Sequence, residues 1–189
     1  MRIVVIAALV TLAGCLQQTG DEKSDGADAA AGPCVAAASR DWAPEGGPQF
    51  TVEATSAGPD CQHAVATLAI RDTANEIYWV EAYPASQVMS LAAARTLDEM
   101  QAALLDWTDS ANSTIVTSSA LPDWPANADG PENGEFPFYV AEGMDRGQYM
   151  GIRQQNVPVF CYVQGMESLN CLAYLDGGLT VVGIQSFPG

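Results

Sequence analysis

The 189-residue chain has a single lysine and a single histidine. The lysine is Lys23, in a stretch with no apolar pattern. Beyond it the cations are five scattered arginines, Arg40, Arg71, Arg95, Arg146 and Arg153. Nucleic-acid binding needs a cationic footprint that displaces counterions from phosphates, and this set cannot assemble one. Docking of the folded part on anionic lipid is disfavoured for the same reason. Also missing are a CxxC pair, a G-x-S-x-G elbow and a phosphate-cradling glycine loop. Gly143, Gly147 and Gly151 fall every fourth residue with no Lys-Ser or Lys-Thr after them. No internal repeat is found at solenoid periods. What is abundant is acid: 23 Asp and Glu against seven Lys and Arg, a formal charge of −16 and a pI near 4.1. Such a surface keeps a protein soluble by repulsion and can attract a cationic protein, peptide or metal.

The first fifteen residues carry the most specific signal. Met1-Arg2 is a positive start, Ile3 to Leu12 is apolar, and Ala13-Gly14 supplies small residues before Cys15. The apolar run is far shorter than the ~20 residues a membrane-spanning helix requires. Leu12-Ala13-Gly14-Cys15 resembles the lipobox of bacterial lipoproteins. That resemblance implies cleavage after Gly14 (residues 1–14 removed) and acylation of Cys15 on sulfur and then nitrogen. One acyl chain holds a protein only reversibly, whereas two or three hold it stably. Leu16 stands where the family's inner-membrane retention signal would put Asp, so the resemblance points to an outer-membrane anchor facing the periplasm. Residues 15–33, the acylated cysteine and QQTGDEKSDGADAAAG beyond Leu16, read as a flexible acidic tether, because a segment without aromatic or branched residues cannot offset its ordering entropy.

Residues 34–189 suit a single domain. With Cys15 set aside, Cys34, Cys61, Cys161 and Cys171 remain, an even number that fits an oxidising compartment. Three pairings are open, and the favoured one is Cys161–Cys171 with Cys34–Cys61. The runs VPVFCYVQ (157–164) and LNCLAYL (169–175) read as strands around Gly165–Ser168, and a hairpin centred near Met166 sets Cys161 opposite Cys171. Opposed residues sit roughly 4.5–5.5 Å apart at Cα, within disulfide reach.

Along the domain, QFTVEAT (49–55) alternates like a strand. HAVATLAIRD and EIYWVEAYP follow as two strands joined by a turn at Asp72–Asn75. Ser86 to about Asp109 is rich in helix formers. Met89, Ala93, Leu97, Met100, Leu104 and Trp107 recur at spacings of three and four, which predicts one buried helical face. Thr96-Leu97-Asp98-Glu99 matches a capping box, leaving open one helix or two. Asn112–Ser119 is a candidate strand, and Phe136–Val140 another with Pro137 at its edge. From Gln148 onward the chain reads as β-rich, ending in a meander over about 157–186 with a tight turn at Asp176-Gly177-Gly178. A helical block between two groups of strands argues an α+β fold with an antiparallel sheet.

Pro122, Pro125 and Pro131, with Pro137 just beyond, break residues 120–136 into a long loop, the first candidate for a binding segment. Its candidate residues are Asp123, Trp124, Asp129, Glu132 and Glu135; the acids lack the spacing of a calcium loop. His63 is the sole general base available to a hydrolase triad. Glu76 with Glu81, or Asp98 with Glu99, are pairs that could serve glycoside chemistry. No spacing singles any of them out, no metal ligand set is present, and no cofactor is implied. The expectation is a lipid-anchored envelope protein with a non-enzymatic binding or interaction domain for a protein or small ligand. The alternatives are an envelope hydrolase using carboxylates or His63, and a binder or inhibitor of a cationic envelope enzyme. For the last, the chain resembles lipid-anchored lysozyme inhibitors only in anchor, disulfides and small β-rich domain.

Overall fold

The structure, a computed structural model, describes residues 32–187 apart from Asn133. The expected signal segment, Cys15 and the expected tether up to residue 31 lie outside the described residues. Four strands come first: β1 (Ala36–Trp42), β2 (Phe50–Ala57), β3 (Val65–Asp72) and β4 (Ile77–Pro84), an antiparallel meander in that order. After helix α1 (Leu97–Trp107) come β5 (Phe138–Val140), α2 (Arg146–Gln155), β6 (Val159–Val163), β7 (Ser168–Leu175) and β8 (Gly178–Ser186). The last four strands form a second antiparallel sheet ordered β5-β8-β7-β6. The class is α+β, with α1 between the two strand groups, α2 between β5 and β6 of the second, and a C-terminal meander.

Alternation sets the faces. Phe50, Val52, Ala54 and Ser56 of β2 are buried, as are Ala66, Leu68 and Ile70 of β3, so one face of the first sheet is core. In the second sheet every residue of β6 is buried, which explains its unbroken apolar run. Helix α1 packs on β1 and β2. The two sheets meet at Tyr162 of β6, whose hydroxyl lies 3.0 Å from Trp79 Nε1 and from the Tyr83 hydroxyl of β4, and 3.0 Å from Asn170 Nδ2 of β7. Burial pushes the pKa values of Tyr83 and Tyr162 up, so both phenols stay neutral at ordinary pH.

Both tight turns have the chemistry expected of them. Asp72 accepts hydrogen bonds from the Ala74 and Glu76 amides at 2.9 Å while Asn75 takes a left-handed φ of 67°. Asp176 and Gly177, at φ 50° and 83°, form the two-residue β7–β8 turn. Cys161 stands opposite Cys171 in the β6–β7 register, and the two are bonded with Cα atoms 4.1 Å apart. Cys34 and Cys61 form the second disulfide.

Three local expectations are corrected. The helical block does not run from Ser86: a short 3-10 turn at Ala85–Gln87 and further turns precede α1, which begins at the capping box. There Thr96 Oγ1 accepts from the Glu99 amide, and the Glu99 carboxylate accepts from the amides of Thr96 at 3.0 Å and Arg95 at 2.8 Å. With the register broken, Met89, Ala93 and Leu97 are exposed, and only Met100, Leu104 and Trp107 are core. Second, the chain near Gln148 is helix, not strand. Asp145 caps α2 by accepting from Gln148 N at 2.8 Å, Gln148 returns the bond, and Asn156 ends the helix in a left-handed conformation. Gly147 and Gly151 lower the helical propensity of this stretch and hide it. Third, Asn112–Ser119 is no strand. Its second half is a strap along the outer edge of β6, where Val159 N donates to Val116 O at 3.0 Å and Ser118 N to Val157 O at 2.8 Å.

The other sheet edges are handled differently. On β1, the Gln101 side-chain amide of α1 satisfies both backbone groups of Ala37, donating to its carbonyl and accepting from its N–H. On β4, no backbone group hydrogen-bonds to anything but β3 among the described residues.

Candidate functional site

Strand register builds the floor of the main cleft. Val163 of β6 faces Leu169 of β7, which faces Gln185 of β8. The three lie in a row at the end of the second sheet, next to the end of α1, because Trp107 Nε1 donates to Val163 O at 2.6 Å. The last turn of α1 then contributes Asp106, and the chain beyond it Asn112, Ser113 and Thr114. Met89 and Phe136 also line it, and its volume is about 490 Å3. This lies in the range of small-ligand sites. Val163 and Leu169 are nearly fully buried, whereas Met89 and Phe136 are each 45% exposed.

The polar groups are few and placed. Asn112 Nδ2 donates to the Asp106 carbonyl at 2.7 Å, which holds the strap against the helix end. Ser113 is 8% exposed; its oxygen accepts from Ile115 N at 3.0 Å, which leaves its hydroxyl proton to donate. The Asp106 carboxylate is exposed and has no ion pair among the described residues. A shallower depression of about 650 Å3, lined by Pro122, Glu132 and Glu135, adjoins the cleft and shares Phe136 and Gln185 with it.

The loop candidates separate into two groups. Glu132 and Glu135 are exposed around this second depression, and Asp129 is exposed elsewhere on the loop. Asp123 and Trp124 instead hold the loop to α2. Asp123 pairs with Arg153 at 3.4 Å, and Trp124 is buried edge-on against Tyr149 with its indole N–H on Ala128 O at 2.9 Å. Three α2 side chains donate to loop carbonyls: Arg153 to Leu121 at 2.7 Å, Tyr149 to Pro122 at 2.8 Å, and Arg146 to Trp124 at 2.7 Å. A proline-rich segment cannot pair as a strand, and these donors satisfy its carbonyls instead. Burial pushes the Tyr149 phenol up, keeping it a neutral donor.

The candidate catalytic groups do not converge. The His63 side chain is 75% exposed and its Nδ1 lies 2.8 Å from Asp60, which also accepts from the His63 amide. No serine hydrogen-bonds to it. The His63 bond pulls the Asp60 carboxyl below its ordinary range, and the Arg95 and Thr96 amides do the same to Glu99. Both shifts run opposite to what a general acid needs. Glu76 lies in the β3–β4 turn and Glu81 on β4, both exposed. Among the described residues, no three His, Cys, Asp or Glu side chains are placed to hold a metal ion.

Sequence reasoning missed Met89, Asn112, Ser113 and Gln185 as cleft residues. They come from separate segments, and no local pattern joins them; the β6–β7 pairing, legible through its cysteines, is the one signal that set Val163 beside Leu169. Comparison with known proteins adds no family: no protein-family model matches the chain, and no curated protein and no solved structure matches it.

Proposed function

We propose that this chain is a lipid-anchored protein of the bacterial envelope, held at Cys15 with its folded domain facing the periplasm, and that the domain binds a ligand or a partner's apolar segment in the cleft over Val163 and Leu169. The observation that carries the binding reading is the cleft itself: Val163 and Leu169 set side by side by strand register, exposed Met89 and Phe136 lining it, and polar side chains from α1, the strap and β8 among them. Two disulfides accord with an oxidising compartment. Hydrolysis has less support, since His63 is bonded only to Asp60 and lies outside the cleft.

Two measurements on the full chain test the two halves. Cys15→Ser should move the protein from membrane to soluble fractions; unchanged partition would end the anchor reading. Nile red, an uncharged apolar dye, should bind saturably and more weakly to Phe136→Ser, a substitution at an exposed rim that leaves the core intact. Failure to saturate, or indifference to Phe136→Ser, would overturn the binding reading.

A further inference from the structure

The cleft and its neighbouring depression have charge of only one sign at their walls. Asp106 stands at the cleft, Glu132 and Glu135 at the depression that continues past Phe136, and among the described residues no lysine, arginine or histidine lines either. The arginines of the domain are all engaged elsewhere. Arg40 is bonded to Leu105 O and Asp109, Arg71 to Glu53 and Asn75 O, and Arg95 to the carbonyls of Ala92 and Ala94. Arg146 and Arg153 grip the loop. Of the chain's 23 acids, four (Asp21, Glu22, Asp25, Asp28) precede residue 32, so 19 acids face those five arginines. An anionic head seated on the apolar floor would therefore meet only repulsion, and a neutral head no attraction beyond hydrogen bonds.

Resting on the cleft reading, we infer that the natural ligand is a cationic amphiphile, with an apolar chain or ring against Val163 and Leu169 and an ammonium or guanidinium head at Asp106, within the field of Glu132 and Glu135. Ser113, with its oxygen already accepting from Ile115 N, presents its hydroxyl proton to an oxygen on the linker between head and chain. Apolar burial supplies the sign-independent part of the affinity. The acids supply selectivity, which salt screens because they are exposed.

The test uses three surfactants with one tail, each below its micelle concentration: dodecyltrimethylammonium, dodecyl maltoside and dodecyl sulfate. They are titrated into the full chain carrying Cys15→Ser at low salt, with the side-chain amide resonances of Asn112 and Gln185 as the readout, since both residues lie in the cleft. The ammonium should bind about tenfold tighter than the maltoside and tighter still than the sulfate, a gap equivalent to one modest charge interaction. Asp106→Asn should bring the ammonium close to the maltoside and leave the maltoside unchanged, and added salt should narrow the same gap. Equal binding of all three heads, preference for sulfate, or indifference to Asp106→Asn would overturn the cation assignment and leave the binding reading standing. If none of the three moves the Asn112 and Gln185 signals, the cleft reading falls with it.

Discussion

Replacing Tyr162 by phenylalanine removes one oxygen from the place where the two sheets meet. That oxygen accepts from the Trp79 indole and from the Asn170 amide, each at 3.0 Å. With both acceptor positions filled, its own proton goes to Tyr83, 3.0 Å away. The ring remains in place and packs as before, so the change reads the hydrogen bonds alone. Trp79 and Tyr83 are half-buried and recover part of their loss from water. Asn170 is 5% exposed and cannot, so its amide proton is left unpaired. An orphaned buried donor costs about 1–3 kcal/mol and each ordinary bond contributes about 1 kcal/mol, which sums to about 2–4 kcal/mol. Urea unfolding with both disulfides oxidised should show the midpoint falling by roughly 1–2 M at unchanged slope, for a slope of about 2 kcal/mol/M. Adding Asn170→Leu should restore part of the loss, because removing both partners removes the orphan. A midpoint within about 0.3 M of the parent, or a double variant showing the full sum of two losses, would refute the reasoning.

Stability should decline toward both ends of the pH scale, for different groups. The Glu99 carboxyl is held below its ordinary value of 4.5, so its contribution is complete above that value and disappears as pH falls through the lower folded one. Thermal melts of Glu99→Gln should lose part of the acid slope, and Thr96→Ala, which removes the other half of the cap, should cost about 1 kcal/mol. The phenols of Tyr83, Tyr149 and Tyr162 are pushed above 10.0; their contribution is complete below 10.0 and is lost as pH rises beyond it, since the unfolded chain ionises first. Alkaline melts should show a steeper decline in the parent than in Tyr162→Phe. Gly183→Ala should destabilise by about 1–3 kcal/mol and loosen β5 from β8, because an added Cβ would overlap the Phe138 ring and the Tyr139 carbonyl. Hydrogen exchange of the Tyr139 and Ala141 amides, which face β8, would show that loosening, and parent-like exchange would contradict it.

The parts legible in sequence were those whose signal is local. The Asp72–Asn75 and Asp176–Gly178 turns declare themselves through residues that bond their own backbone or accept positive φ. The Cys161–Cys171 pair marks hairpin register. The Thr96–Glu99 cap sets the start of α1. What stayed hidden depends on contacts distant in sequence. β1 reads AAASRDW and has little strand propensity; it is a strand because β2 and α1 give it somewhere to bury Ala36 and Trp42. Helix α2 contains two glycines and few apolar residues, and is placed by Tyr149 against Trp124 and Phe138. The Met89–Ala93–Leu97 spacing suggested a helical face, yet turns intervene before the cap. The cleft is least legible of all, since its walls come from segments that only the second sheet brings together.

The Gln101 amide that occupies both backbone groups of Ala37 limits how copies of this protein can assemble. A sheet that grows without end needs two open sides per molecule, one to add to and one to be added to. In the first sheet β4 offers an unoccupied edge, whereas on β1 a side chain from the protein's own helix holds one outward-facing residue, Ala37, and leaves Ser39 and Asp41 without backbone partners outside the sheet among the described residues. Two molecules meeting along β4 would form a symmetric pair, and a further molecule adding along β1 would have to displace Gln101 from Ala37. Substituting Gln101 with alanine would thus do more than remove two hydrogen bonds, because it would clear the one outward position of β1 that a side chain of this molecule occupies.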